Sequence, residues 1–126
     1  TSSASVSWAR KMCIRDSHCI LAHSFSLGVK PRSLEAMILS DADKLDAIGA
    51  VGVIRAFMES AYRGRSIEDT ITHFKEKLLK LKDMMYTETA REMARRRHEF
   101  MMRFLKELML ELQEAGYSKA LEVAEV

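Results

Sequence analysis

The stretch that decides the reading is Asp41-Ala-Asp-Lys-Leu-Asp-Ala-Ile-Gly-Ala-Val-Gly-Val-Ile54. Three carboxylates, Asp41, Asp43 and Asp46, stand immediately before the most apolar run of the chain, Ala47 to Ile54. Burying carboxylates is costly unless a cation compensates them, and either a metal ion or Lys44 could supply that charge. Spacing alone also fits a polar helical face, with Asp43 and Asp46 three residues apart and Asp41 pointing elsewhere. A calcium loop does not fit, because Leu45 stands where an EF-hand needs an oxygen ligand and Asp46 where it needs glycine. The apolar run is far shorter than the roughly 20 residues that cross a bilayer, so no membrane partner is expected.

Working outward, Gly49 and Gly52 each weaken a helix by about 1 kcal/mol relative to alanine. Residues 34–62 therefore read as two helices or one interrupted helix. Ser33 is the expected N-cap, Glu35 suits the first turn, and Gly64 closes the segment. Upstream, Phe25 to Arg32 reads as a loop carrying Gly28 and Pro31. Downstream, Ser66-Ile-Glu-Asp69 has the form of a capping box ahead of Ile71, Phe74, Leu78, Leu79 and Leu81, which predicts a helix start. From Thr87 to Ala115, apolar residues recur at three- and four-residue steps. A continuous helix there would be about 43 Å long, more than a domain of this size needs, so a bend or fraying is expected. Gly116 is the expected stop. With five glycines and one proline in 126 residues, the fold class is all-α, a bundle of about four to five helices.

Length and a 48% apolar content allow one domain with a core. The formal charge of +2 is too small to point to nucleic acid, and no nucleic-acid partner is expected. Even that excess sits in residues 1–17, where Arg10, Lys11 and Arg15 face one acid, Asp16. This opening has no periodicity although it holds the only tryptophan, Trp8. Its Val6-Ser-Trp-Ala-Arg10 and Met12-Cys-Ile-Arg-Asp-Ser17 resemble the translation of a sequencing-library adapter, which makes residues 1–17 an expected non-native, disordered leader. Cys13 and Cys19 lack disulfide-framework or zinc spacing, which favours a reducing, cytoplasmic compartment.

Other chemistry-bearing residues give weaker signals. His18 and His23 are five apart, out of phase on a helix and unlike a zinc-protease pair. His73 and His98 have no ligand cluster around them and read as surface or core positions. Arg95-Arg-Arg97 lies beside Glu92 and Glu99 and reads as a solvated face. The lysines from Lys75 to Lys82 interleave with leucines, as an amphipathic helix over a core would, and most of the nine methionines sit at core spacing. There is no glycine-rich phosphate loop and no nucleophile elbow.

His18-x-x-x-x-His23-Ser-Phe-Ser26, Ser33-Leu-Glu-Ala36, Asp41-Ala-Asp-Lys-Leu-Asp-Ala-Ile-Gly-Ala-Val-Gly52 and Arg55-Ala-Phe57, with His73-Phe and the helical tail downstream, resemble the second half of the HD-domain hydrolases. These are metal-dependent phosphohydrolases of all-α fold, and the resemblance runs from about His18 to Leu112. It implies a divalent cation such as Mn or Mg, held by histidines, an adjacent His-Asp pair and a distal aspartate. Asp43 matches the distal metal ligand, Lys44 would lie near substrate phosphate, and His23, with His18 beside it, would line the same cleft as an acid or outer ligand. Such a cation lowers the pKa of bound water and polarises a phosphoryl oxygen. The chain departs from the pattern in containing no His-Asp dipeptide.

The expected organisation is therefore a leader at 1–17, the C-terminal half of an HD-type domain at 18–116, truncated at its N-terminus, and a loose tail at 117–126. The expected function is a fragment of a hydrolase acting on a phosphorylated small molecule, inactive alone and holding no metal by itself. Its missing partner would be the N-terminal helices of the same domain. Apolar faces left open by them should lower solubility. The competing reading is a non-catalytic helical interaction module that binds another helix through its Met-rich face.

Overall fold

Ser33 and Ser66 open helices by the same chemistry. The Ser33 hydroxyl accepts from the Ala36 amide at 3.1 Å, and the Ser66 hydroxyl accepts from the Asp69 amide at 3.1 Å while the Asp69 carboxylate accepts from the Ser66 amide. The second pair is the reciprocal box read from the sequence. Thr87 caps a third helix through the Ala90 amide. The structure is a computed structural model and describes residues 30–117. Within them lie α1 (Leu34–Asp46), α2 (Gly49–Tyr62), α3 (Ile67–Glu76), a 3₁₀ helix (Leu78–Met84) and α4 (Glu88–Glu114). The expected leader, His18, His23 and residues 118–126 lie outside the described residues.

The chain divides into two units, Thr1–Lys44 and Leu45–Val126. In the second, α2 and α4 pack together, α3 packs on α2, and the 3₁₀ helix lies against α3 and α4. Phe57 of α2 joins them at the centre, its ring 5.9 Å from Phe74 of α3 and 6.0 Å from Phe104 of α4. Both spacings suit tilted or edge-on aromatic pairs. On α4, the buried residues Ala90, Ala94, Met101, Leu105 and Leu112 form one seam at the helical period.

Two expectations about these elements change. The helix that begins at Ser66 ends at Glu76, and Leu78–Met84 tightens into a 3₁₀ helix. At three residues per turn, Leu78 and Leu81 fall on the same side, and both are buried. An α-helix would have swung them about 60° apart. Residues 88–114 form one continuous helix of about 40 Å, where a bend or fraying was expected. The buried seam runs along most of its length, and the helix closes at Gly116, whose amide donates to the Gln113 carbonyl while that of Tyr117 donates to Leu112.

The break between α1 and α2 is set by close approach. A Cβ added at Gly52 would stand 2.5 Å from the Ala47 carbonyl, which is backbone and cannot swing aside. Gly49 opens α2 with φ +83°, and a Cβ there would meet the Arg97 side chain at 2.9 Å. These are the two glycines expected only to weaken a helix; what they do is let the turn at Ala47 and Ile48 close. Gly52→Ala should lower stability by about 1–3 kcal/mol by overpacking that turn, read as a drop in the urea midpoint with an unchanged slope.

His98 of α4 is half-buried, and its Nδ1 is buried without a hydrogen-bond partner among the described residues. Burial lowers its pKa, Lys82 adds to the shift, and Asp83 and Glu99 oppose it. His73 shifts the same way, through burial, Lys77 and Arg65 against Glu76. A histidine whose folded pKa lies below its unfolded value stabilises the fold above the unfolded pKa and loses that contribution as pH falls toward the folded one. Stability measured by urea melts should decline from pH 7 to pH 5, and the decline should shrink in His98→Leu and further in the His73→Leu/His98→Leu pair.

Candidate functional site

Helix α1 has its polarity reversed. Its buried residues are Ala36, Ser40, Asp41 and Lys44, whereas Leu34, Ile38 and Leu39 are exposed. Lys44 is 1% exposed and Asp41 2%, and the Lys44 Nζ stands 4.0 Å from Asp41 Oδ1, one helical turn away. Burial lowers the Lys44 pKa, with Asp41 and then Asp43 holding it up. Asp43 is half-buried and Asp46 exposed. The polar-face reading of this motif holds for the exposed Asp46 and in part for Asp43, while Asp41, expected to point elsewhere, is the most buried carboxylate of the three, with Lys44 one turn away as its compensating cation.

The turn that follows is fastened from α4. Arg97 donates through its Nη1 to the Leu45 carbonyl at 2.6 Å, and its aliphatic stem passes over Gly49. Arg55 of α2 reaches the Asp46 carbonyl at 3.4 Å. A solvated face was the reading for Arg95–Arg97, and it holds for the exposed Arg95 and Arg96 but not for Arg97. Sequence carried no signal for Arg97, because its partner lies 52 residues away.

Of the sequence-derived site residues, Asp43 and Lys44 are neighbours on α1, and His23 lies outside the described residues. Among the described residues no group of three or more His, Cys, Asp or Glu could hold a metal ion. Among the same residues no helix is long and apolar enough to cross a membrane.

The comparisons with known proteins bear on what this arrangement belongs to. YpgQ of Bacillus subtilis is 46% identical over 99 residues, which are 72% of this chain and 48% of YpgQ. The crystal structure of selenomethionyl YpgQ matches 78% of this chain and 55% of its own with a TM-score of 0.71 at 43% identity. An HD-superfamily hydrolase from Bacillus thuringiensis matches with a TM-score of 0.61 at 40% identity, over 64% of this chain and 47% of its own.

The chain is homologous to YpgQ and to an HD-superfamily hydrolase.

The all-α architecture read from glycine and proline content is matched by these relatives, and the chain spans about half the length of each. YpgQ has also been solved in complex with ADP, in a structure that matches 64% of this chain and 45% of its own with a TM-score of 0.62 at 47% identity. No family model matches the chain. None of the comparisons supports the adapter-derived origin expected for residues 1–17.

The Asp41–Lys44 pair makes a direct test of the local energetics. Lys44→Met leaves a buried carboxylate without its cation and should cost about 3–5 kcal/mol. Combining it with Asp41→Leu should recover most of that loss, since an apolar pair of similar volume needs no compensation. Urea melts of the two single variants and the double variant measure the coupling; a loss in the double variant equal to the sum of the two single losses would show that the pair contributes nothing.

Proposed function

We propose that this chain carries, within residues 18–116, the C-terminal half of an HD-type phosphohydrolase domain whose complete form hydrolyses a phosphate ester of a nucleotide. The observation that carries the reading is α1, a helix that buries Asp41 and Lys44 and holds Asp43 beside them, in a chain homologous to YpgQ, itself solved with ADP. Helices selected only for packing bury their apolar residues; this one buries its charges.

In the proposed enzyme Asp43 is the distal donor to a divalent cation such as Mn or Mg, and the cation supplies an activated water when bound. One carboxylate does not hold such an ion against water. The other donors are assigned to the part of the domain that the relatives have and this chain does not span, and the 126 residues, without a His-Asp dipeptide, are inactive alone. Lys44 is assigned to the substrate phosphate, where a fixed positive charge favours the charge that develops on phosphoryl oxygens as the ester P–O bond breaks. Asp41 holds that ammonium in place. His23 is assigned as the acid that protonates the leaving oxygen, or as an outer ligand. Two cysteines without disulfide spacing suit a cytoplasmic enzyme.

The surface of α2 supports the fragment reading. Val51, Ile54, Met58 and Tyr62 recur at three- and four-residue steps and are all exposed, at 64%, 60%, 66% and 90%. Such a stripe is what the other half of a domain would cover. It is also what a helix-binding module would offer, and one assay separates the two. A chimera in which this segment replaces the equivalent half of YpgQ should release phosphate or pyrophosphate from nucleotides in the presence of Mn²⁺. Asp43→Asn in the chimera should reduce that rate at least about a hundredfold, through loss of a metal donor. A folded chimera with no hydrolysis, or an indifferent Asp43→Asn, would leave the interaction module as the better reading.

A further inference from the structure

The last turn of α3, the 3₁₀ helix and α4 border a cavity of about 310 Å³ within the second unit. Its walls are Leu79, Met102, Leu105 and Met109, and its cations are Lys75, Arg103 and Lys106, with no carboxylate in the lining. Positions 102, 105, 106 and 109 recur at three- and four-residue steps, so one face of α4 supplies both apolar surface and a cation. The volume lies at the small end of ligand sites and holds about ten groups the size of a water, at ~30 Å³ each.

Lys75 separates this cavity from an ordinary surface groove. The residue is half-buried, but its Nζ is buried and has no hydrogen-bond partner among the described residues. A lysine in the last turn of a helix can donate to the terminal carbonyls, and this ammonium does not. No Asp or Glu stands three or four residues from Lys75 or from Lys106, so neither helix provides a counter-ion at the spacing that would pair them. Burial lowers the Lys75 pKa and no carboxylate offsets the shift, in contrast with Lys44, which has Asp41 and Asp43. A buried ammonium without an anion is costly, and an arriving anion removes that cost.

The chemistry of the walls narrows the class of anion. Arg103 and Lys106 are exposed, and the aliphatic stems of such side chains cover apolar surface while their heads stay in water. Lys75 is therefore the group whose charge needs matching. An uncharged apolar molecule would fill the walls and leave the ammonium alone. A small anion would pair the ammonium and leave Leu79, Leu105 and the two methionines against water. An aliphatic chain ending in a single carboxylate meets both requirements.

We infer that this cavity is a binding site for an aliphatic carboxylate of about eight carbons, with its carboxylate on the Lys75 ammonium and its chain along Leu79, Met102, Leu105 and Met109. The inference does not rest on the hydrolase reading, because it uses neither the acidic motif of α1 nor a metal.

The test is isothermal titration of the full 126-residue chain with octanoate below its micellar concentration, octanol and butyrate. Octanoate should bind saturably, and octanol about tenfold more weakly for want of a charge-assisted contact. Butyrate, four methylenes shorter, should bind more than about a hundredfold more weakly. Lys75→Met keeps most of the side chain and removes the ammonium. It should weaken octanoate about tenfold and leave octanol unchanged, so that the two bind alike. Lys80→Ala, an exposed cation outside the lining, should change neither. Thermal melts of Lys75→Met should match or exceed those of the parent, since an uncompensated charge is removed. With ¹³C-methyl methionine, octanoate should shift the Met102 and Met109 resonances and leave that of Met58, on the exposed stripe of α2, in place. The inference is overturned if octanoate fails to saturate, if octanol binds equally well, or if Lys75→Met keeps the parent's preference. It is also overturned if Met58 shifts in place of Met102 and Met109, which marks adsorption on the stripe. None of these outcomes bears on hydrolysis by the YpgQ chimera, so the two readings fail separately.

Discussion

The constraint on which the second unit depends is the turn at Ala47 and Ile48. Its carbonyl at Ala47 lies so close to Gly52 that no side chain fits between them, and Arg97 crosses Gly49 to reach the carbonyl of Leu45. Ile48 is 1% exposed, which anchors the turn in the core. The small residues after the acidic motif are thus a requirement of backbone approach. A chain that replaced them with larger apolar residues would gain buried area and lose the turn. The same crossing opens the start of α2, since a helix that begins at glycine against an arginine stem has neither room nor residue for a side-chain cap.

Helix α1 follows a different rule. Its charged residues are inside, and burying an ion pair rarely stabilises a fold relative to an apolar pair of the same size. Such an arrangement is costly as packing, and the function proposed above rests on it. Here the ammonium of Lys44 is desolvated, and the acids Asp41 and Asp43 counter the effect. A desolvated cation interacts more strongly with an incoming phosphate than one in water does. Meanwhile Leu34, Ile38 and Leu39 stay exposed, so the hydrophobic pattern of α1 alone would have assigned the wrong face to the interior.

What the sequence made legible follows the range of the interaction. Caps at Ser33 and Ser66 and the stop at Gly116 depend on residues within a turn or so, and they appear where the residue types predict them. The 3₁₀ helix was not legible, because Leu78, Leu79 and Leu81 fit an α-helical stripe equally well until the partner surfaces of α3 and α4 are known. The unbroken α4 was misread for a related reason, since the length of a helix is set by the seam it packs along and not by the size of the chain. At the site, the charge argument named Lys44 as a possible compensating cation, but spacing alone did not say that Asp41 is the carboxylate buried beside it. Arg97 left no local trace. His23 falls on residues the structure does not describe, and its role rests on the resemblance alone.

Val51 connects the two surfaces of α2. It lines a cavity at the start of this helix, and it is the first residue of the exposed stripe that continues through Ile54, Met58 and Tyr62. An apolar surface laid along the stripe would therefore also form a wall of the cavity at the start of α2 and exclude water from it, so that covering the stripe and closing the turn after Ile48 are one event and not two.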